Sequence, residues 1–290
     1  LLRRHYPEVF GKNTTDTAKL ESAWAGLRTL LDEMMDVFSS PYVHIGGDEA
    51  YGVPQDLQRD LVNHLAGHVI ARGRKAMVWE GPALGTGDNK VRSDVIQINW
   101  RTVDFPADQM VEAGYRVVNA AWDPLYVVDH YPRNNFTMAS PAHIYTTLQR
   151  FRFRHFNPGM KTFAKPVLVP ATDHVIGYCM PWWEGREQNY FQLVVPRLIP
   201  MAAIAWGEPK HRDYEAFAHA VVQAEAVRRA AFYPVAIQAE PLAVASAGVF
   251  HDQASATLRT RGEAGGIRYT TDGTPPTASS SAYSGPIPLT

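Results

Sequence analysis

The chain has 290 residues, 46% of them hydrophobic and 20% charged, which suits a soluble globular protein with room for one large domain and part of another. Twenty-eight basic residues stand against 29 acidic ones, giving a formal net charge of −1 with no basic stripe, so nucleic acid and anionic membrane are poor candidates for a partner. The single cysteine, Cys179, excludes an intrachain disulfide without bearing on secretion, and the most apolar stretch, 191–206, is broken by Pro196, Arg197 and Pro200 and is no membrane span.

In chain order, residues 1–15 read as loop. The sequence starts on Leu1 rather than Met, so a preceding segment is expected. Leu20, Trp24, Leu27, Leu31, Met34, Met35 and Phe38 recur at helical spacing and predict a helix over 16–38, stopped by Ser39-Ser40-Pro41. A short strand over 42–45 follows. Leu57, Leu61, Leu65 and Val69 place a second helix over 55–72, with Gly73 where a C-terminal cap belongs. Strands are predicted over 76–79, 94–100, 115–119 and 175–180. Helices are predicted over 106–113, 140–154, 187–206 (kinked by its prolines) and 214–231.

Short apolar strands alternating with amphipathic helices predict a parallel α/β architecture of about five strand–helix units. A closed (β/α)8 barrel needs eight such units. Two arrangements fit: an open doubly wound sheet, or the C-terminal portion of a TIM barrel whose first three strands lie upstream. No Gly-x-Gly-x-x-Gly fingerprint follows any strand, which weighs against an open nucleotide-binding sheet and favours the barrel portion.

Near Pro234 the helical pattern stops. Small, polar and β-forming residues take over in 243–246, 256–260 and 266–270, with Asp272-Gly273 as a tight hairpin turn and Thr274-Pro-Pro and Ser279-Ser-Ser as loops. The expected organisation is an α/β domain over 1–233 and an incomplete small β-sandwich over 234–290.

The chemistry gathers at strand ends. Tyr42-Val-His-Ile-Gly-Gly-Asp-Glu49 places two adjacent carboxylates just past a strand terminated by two glycines. Adjacent like charges are unfavourable unless their surroundings differ, and divergent surroundings provide one acid and one anion at neutral pH. The structural alternative is a helix N-cap. Comparable strand ends carry Trp79 with Glu80, Trp100, and Trp183 with Glu184. One such Trp is ordinarily packing. Three at successive strand ends beside two acids suggest a sugar pocket, because indole faces suit the C–H faces of a pyranose and carboxylates suit its hydroxyls.

His44-Ile-Gly-Gly-Asp48-Glu49 resembles the His-x-Gly-Gly-Asp-Glu signature of the family 20 glycoside hydrolases, the β-N-acetylhexosaminidases. The likeness extends over most of 1–233, through Met77-Val-Trp79-Glu80, Ile98-Asn-Trp100-Arg101, and Val175-Ile-Gly177 to Trp183-Glu184. Residues 267–277 resemble the chitobiase-type C-terminal β-module. The resemblance implies exo-hydrolysis of terminal non-reducing β-linked N-acetylhexosamine with retention. The substrate's own acetamido group is the nucleophile, through an oxazolinium intermediate.

Carried over, Glu49 is the general acid and then base, which requires it to be protonated at the start. Asp48 orients the acetamido group and stabilises the oxazolinium charge. Trp79, Trp100 and Trp183 form the box around the sugar, Tyr126 hydrogen-bonds the acetamido carbonyl, and Glu184 is a sugar-hydroxyl ligand whose bland alternative is a solvated loop acid. Many family members carry Tyr-x-Asp at the loop tyrosine. Here the third position is Val128, and Asp129 falls one residue further on. His44 reads as structural. His64, His68 and His143 lack metal-ligand spacing, so neither metal nor cofactor is implied. N-acetylhexosamine-containing glycans are the expected partner, and the resemblance implies a secreted, periplasmic or cell-surface location. The rival reading is a carbohydrate-binding relative that keeps the aromatic pocket without the chemistry.

Overall fold

The computed structural model describes residues 2–11, 19–81, 85–86, 89–102, 105–128, 138–157, 162–207, 212–232, 235–240, 254–260 and 266–289. The chain forms two compact units, Leu1–Arg212 and Asp213–Thr290.

The first unit is built on a five-stranded parallel sheet. Its strands are β1 (Tyr42–His44), β2 (Lys75–Trp79), β3 (Ile96–Asn99), β4 (Val117–Asn119) and β5 (Val175–Tyr178), and they lie side by side in chain order. Alternation along the strands divides their side chains between two faces. Val43, Ala76, Val78, Val117 and Val175 join one core layer. Met77, Trp79, Ile96, Ile98, Val118 and Ile176 join another. A sheet covered on both faces explains why these strands read as apolar runs rather than clean alternation.

The two long helices over the first layer are α1 (Leu20–Val37) and α2 (Gln55–Ala71). Leu31 and Met35 of α1 and Val62, Leu65, Ala66 and Val69 of α2 are buried against the valine face. Asp32 clasps the pair by accepting from His68 Nε2 at 2.9 Å and pairing with Arg72 at 3.2 Å. Arg74 caps α1, donating to the carbonyls of Met35, Phe38 and Ser40 at 2.7, 2.7 and 2.5 Å. The Met35 carbonyl lies in the last turn of α1, where no helical amide reaches it, and Phe38 and Ser40 follow the helix end. Gly73, at φ +75°, takes the left-handed cap predicted for it.

The second unit holds the helix Tyr214–Phe232 and a three-stranded antiparallel sheet of Val235–Glu240, Ala254–Thr260 and Ile287–Leu289. Its small core is Ala256, Leu258 and Ile287, packed with Ile267, Tyr269 and Tyr283.

Several local expectations change. Residues 2–10 form two single-turn helices, Leu2–His5 and Pro7–Phe10, rather than loop. The helix predicted over 140–154 is confined to Pro141–Thr147, since the chain turns to pair Arg152–Phe153 with Val167–Leu168. The helix predicted over 187–206 divides into a 3-10 turn and the helices Tyr190–Leu193 and Val195–Gly207. Between β2 and β3 lies a two-stranded ribbon, Gly85–Thr86 with Asn89–Lys90, bound to α2 through Asn63 and Arg59. Asp272-Gly273 is no two-residue hairpin turn. The flanking pair is Arg268–Tyr269 with Ser281–Ala282, and Asp272 Oδ1 instead accepts from the Thr274 amide and hydroxyl in an Asx turn. The expected strand at 243–246 and Asp129 lie outside the described residues.

Candidate active site

The end of β1 is shaped by close backbone packing. The β1–β2 ladder runs on as Trp79 N–H donates to Gly46 O at 2.9 Å. Gly46 and Gly47 then take φ of +84° and +108°. A Cβ on Gly47 would lie 2.3 Å from Val78 Cγ2, so the second glycine is required by contact as well as by backbone angle. Glu49 is also left-handed, at φ +49°, an unfavourable conformation for a residue with a side chain. The loop beyond is fastened by Gln58, whose Nε2 donates to Ala50 O and Val53 O at 3.2 and 2.8 Å.

This turn gives the adjacent carboxylates different neighbours. Glu49 Oε1 accepts from Tyr51 Oη at 2.9 Å, and Glu49 lines a cavity of about 320 Å³ together with Gln55, Glu80, Trp100 and Arg101. The Asp48 charge acts on two groups of the inner sheet face, His44 and Tyr126. Burial lowers the His44 pKa, and Asp48 opposes part of that shift. His44 Nδ1 accepts from Gly46 N at 3.1 Å, so the imidazole braces the glycine turn from beneath. Burial drives the Tyr126 phenol well above its ordinary pKa. The Asp48 charge adds to this, and the neighbouring Trp122 and Trp183 side chains oppose it. Tyr126 is therefore a neutral hydrogen-bond donor across the physiological range.

The aromatic residues meet on one face. Trp79 lies beside Trp183, with ring centroids 5.9 Å apart, and beside His44 at 5.2 Å. Trp100 stacks on Tyr126 at 5.9 Å with 14° between the planes. Register explains the first half of this set. Trp79 pairs with Ile98 across the parallel ladder, and Trp100, two residues on, shares the face of Ile98. Trp183 arrives by a separate route: Trp182–Trp183 pairs in parallel with Val127–Val128, just past Tyr126. Trp183 remains 41% exposed at the mouth, and Glu184 follows it, exposed, at φ +55°.

Sequence reasoning missed Trp122. Its ring lies 5.0 Å from Tyr126 and 6.3 Å from Trp100, completing the aromatic wall. The available signal was a fourth Trp shortly after a strand end, in Ala120-Ala121-Trp122. Asp123 beneath it was also missed. It is buried and faces His143 at 2.8 Å, Arg154 at 3.2 Å and Arg152 at 3.6 Å. Cys179 packs against the same aromatic layer, and burial pushes its thiol up to about 11, leaving it protonated and unreactive at neutral pH.

Residues 51–209 match the family model described as glycosyl hydrolase family 20, catalytic domain. The chain belongs to this family. Residues 245–290 match the chitobiase/beta-hexosaminidase C-terminal domain. The family 20 match begins two residues beyond Glu49 and takes in Trp79, Trp100, Tyr126, Trp183 and Glu184. A beta-N-acetylhexosaminidase of Cellulomonas fimi is 24% identical over 203 residues, covering 68% of this chain and 38% of that protein. The beta-hexosaminidase subunit beta of Entamoeba histolytica is 23% identical over 229 residues, covering 67% and 37%. The chain thus spans well under half the length of the curated relatives it matches. The fold is that of family 20 enzymes. A beta-N-acetylhexosaminidase from Bacteroides fragilis superimposes with a TM-score of 0.55 at 19% identity, over 76% of this chain and 46% of that one. A family 20 exo beta-N-acetylglucosaminidase from Vibrio harveyi gives 0.51 at 20% identity, over 69% and 34%. The five-stranded sheet is accordingly five consecutive strands of a (β/α)8 barrel, and Asp48, Glu49, Trp79 and Trp100 lie at the C-terminal ends of its strands. Among the described residues no helix is long and apolar enough to cross a membrane.

Proposed function

We propose that this family 20 chain hydrolyses terminal β-linked N-acetylhexosamine from glycans, with retention, using the substrate's acetamido group as nucleophile. The observation that carries the reading is the divergence of Asp48 and Glu49. One acts on Tyr126 and His44 at the aromatic face, and the other lines the cavity beside Trp100.

In the first step the acetamido carbonyl oxygen forms a bond to C1 as the C1–O bond to the leaving group breaks. Glu49 gives its proton to that departing oxygen. Asp48 accepts a hydrogen bond from the acetamido N–H and balances the positive charge on the oxazolinium ring. Tyr126, held neutral by burial, donates to the acetamido oxygen and fixes the near-attack geometry. Trp79, Trp100 and Trp183 enclose the sugar and exclude water, which strengthens these charge interactions. In the second step Glu49 takes a proton from water, the hydroxide adds to C1, and the ring reopens to the acetamide with net retention. Glu184, exposed at the mouth, is assigned to an outer sugar hydroxyl. An action outside the cytoplasm belongs to the same proposal.

The test compares leaving groups. The protein should release p-nitrophenol from the aryl N-acetyl-β-glucosaminide and be far weaker on the aryl β-glucoside, which has no acetamido group. Glu49→Gln should lose about 10²–10⁴-fold on a substrate with a poor leaving group and less on the activated aryl substrate. Asp48→Asn should impair both alike. Sugar binding without turnover by the unmodified protein would convert the reading to a carbohydrate-binding relative.

A further inference from the structure

Glu80 directly follows Trp79, and its side chain is almost completely enclosed, with 1% of the residue exposed. Oε2 accepts from three successive main-chain amides, those of Trp100 at 3.2 Å, Arg101 at 3.0 Å and Thr102 at 2.8 Å. Oε1 accepts from the Phe105 amide at 3.2 Å. Successive amides converging on one point make an anion-binding nest, which an internal carboxylate fills here. The nest depends on Thr102 at φ +53°, a conformation that a β-branched residue avoids unless its surroundings impose it. The Glu80 carbonyl also accepts from Trp100 Nε1 at 2.8 Å. Glu80 therefore holds Trp100 by its backbone and by its indole, and the held segment places Trp100 and Arg101 in the cavity that Glu49 lines.

We propose that Glu80 is a positioning residue for sugar binding. Its buried carboxylate holds the amides of Trp100, Arg101, Thr102 and Phe105 so that Trp100 presents its ring to the substrate, and it acts on the reaction only through them. A buried apolar residue could fill the space but would leave four amides without these acceptors. A glutamine keeps one acceptor oxygen, but its amide group turns a donor toward donors. This inference rests on the hydrolase reading for its kinetic part and stands apart from it for its structural part.

The experiment compares the intact protein with Glu80→Gln and Glu80→Ala by hydrogen exchange and by kinetics on p-nitrophenyl N-acetyl-β-glucosaminide. The amides of Trp100, Arg101, Thr102 and Phe105 should exchange at least about tenfold faster in Glu80→Ala, with Glu80→Gln between the two, while the β2 amides keep their protection. KM should rise about 10- to 100-fold in Glu80→Ala with a smaller change in kcat, again with Glu80→Gln intermediate. Unchanged exchange at these four amides overturns the proposal, as does a fall in kcat at constant KM. If Glu80→Ala does not fold, Glu80→Gln is judged by the same two readouts. Should the unmodified protein turn over no substrate, the hydrolase reading fails. Glu80 is then judged by exchange and by binding of N-acetylglucosamine followed by tryptophan fluorescence. Faster exchange with weaker binding supports the role, and no change in either overturns it.

Discussion

Gly81 lies so close to Gly47 that a Cβ on Gly81 would fall 1.9 Å from the Gly47 carbonyl oxygen and 3.1 Å from the Asp48 Cα. The turn carrying Asp48 and Glu49 thus rests directly on the backbone that leaves β2. Both neighbours are main chain, so neither can rotate aside. Gly81→Ala must push the carboxylate turn outward. The expected cost is about 1–3 kcal/mol of stability, and kcat/KM should drop about 10²-fold as the turn shifts. Thermal unfolding and steady-state kinetics on the same sample check both. Wild-type kcat/KM in a folded Gly81→Ala protein would refute the coupling.

Tyr126→Phe keeps the ring that stacks on Trp100 and removes only the hydroxyl. The expected loss in kcat/KM is about 10²-fold, in line with removal of one donor aimed at a reacting oxygen. Burial raises the phenol pKa, so this group causes no alkaline loss of activity below about pH 10, the value for a free tyrosine. The unfolded chain releases this proton first, so the contribution to stability is complete below the unfolded pKa and is lost as pH rises above it. Ultraviolet difference titration near pH 10 should count the same number of ionising phenols in wild type and in Tyr126→Phe, since Tyr126 contributes none there.

His44 has the opposite sign. Its pKa is lowered by burial against the pull of Asp48, so the unfolded chain binds the proton at a higher pH than the folded one. Its contribution to stability is present above about pH 6.5 and is lost as pH falls through the lowered folded value. His44→Asn keeps an acceptor for the Gly46 amide and removes the titration. Unfolding temperatures measured from pH 7 down to pH 5 should fall less steeply in the variant, and parallel slopes would contradict the assignment.

Asp123 tests whether the Trp122–Tyr126 segment depends on its buried charge. Removing one partner of a buried ion pair costs about 3–5 kcal/mol. Here His143, Arg152 and Arg154 are 40, 19 and 30% exposed in their side chains, so the polar groups left behind are partly rehydrated. Asp123→Ala should therefore cost about 2–3 kcal/mol in denaturant unfolding. A change within about 0.5 kcal/mol, the range of ordinary surface substitutions, would assign the cluster no structural weight.

The five strands and the two long helices over the first core layer were legible because their signals are local. Leu31, Met35, Leu65 and Val69 repeat at helical spacing, and a strand's alternation fixes which residues share a face. Trp79 and Trp100 were legible as a pair for that reason, and the glycines before Asp48 announced a turn. Other features depended on parts of the chain far apart in sequence. Trp183 reaches Trp79 only through the pairing of Trp182–Trp183 with Val127–Val128. The role of Glu80 depends on amides 20–25 residues further on. Asp123 finds His143 and Arg154 across 20 and 31 residues. The left-handed backbone of Glu49 and Thr102 carries no residue-type signal, since neither is glycine. Residue type and spacing declared the strands, the helices and the reactive groups. Which buried carboxylate met which donor was decided by tertiary packing, because a buried polar group must find its partner wherever the folded chain brings one.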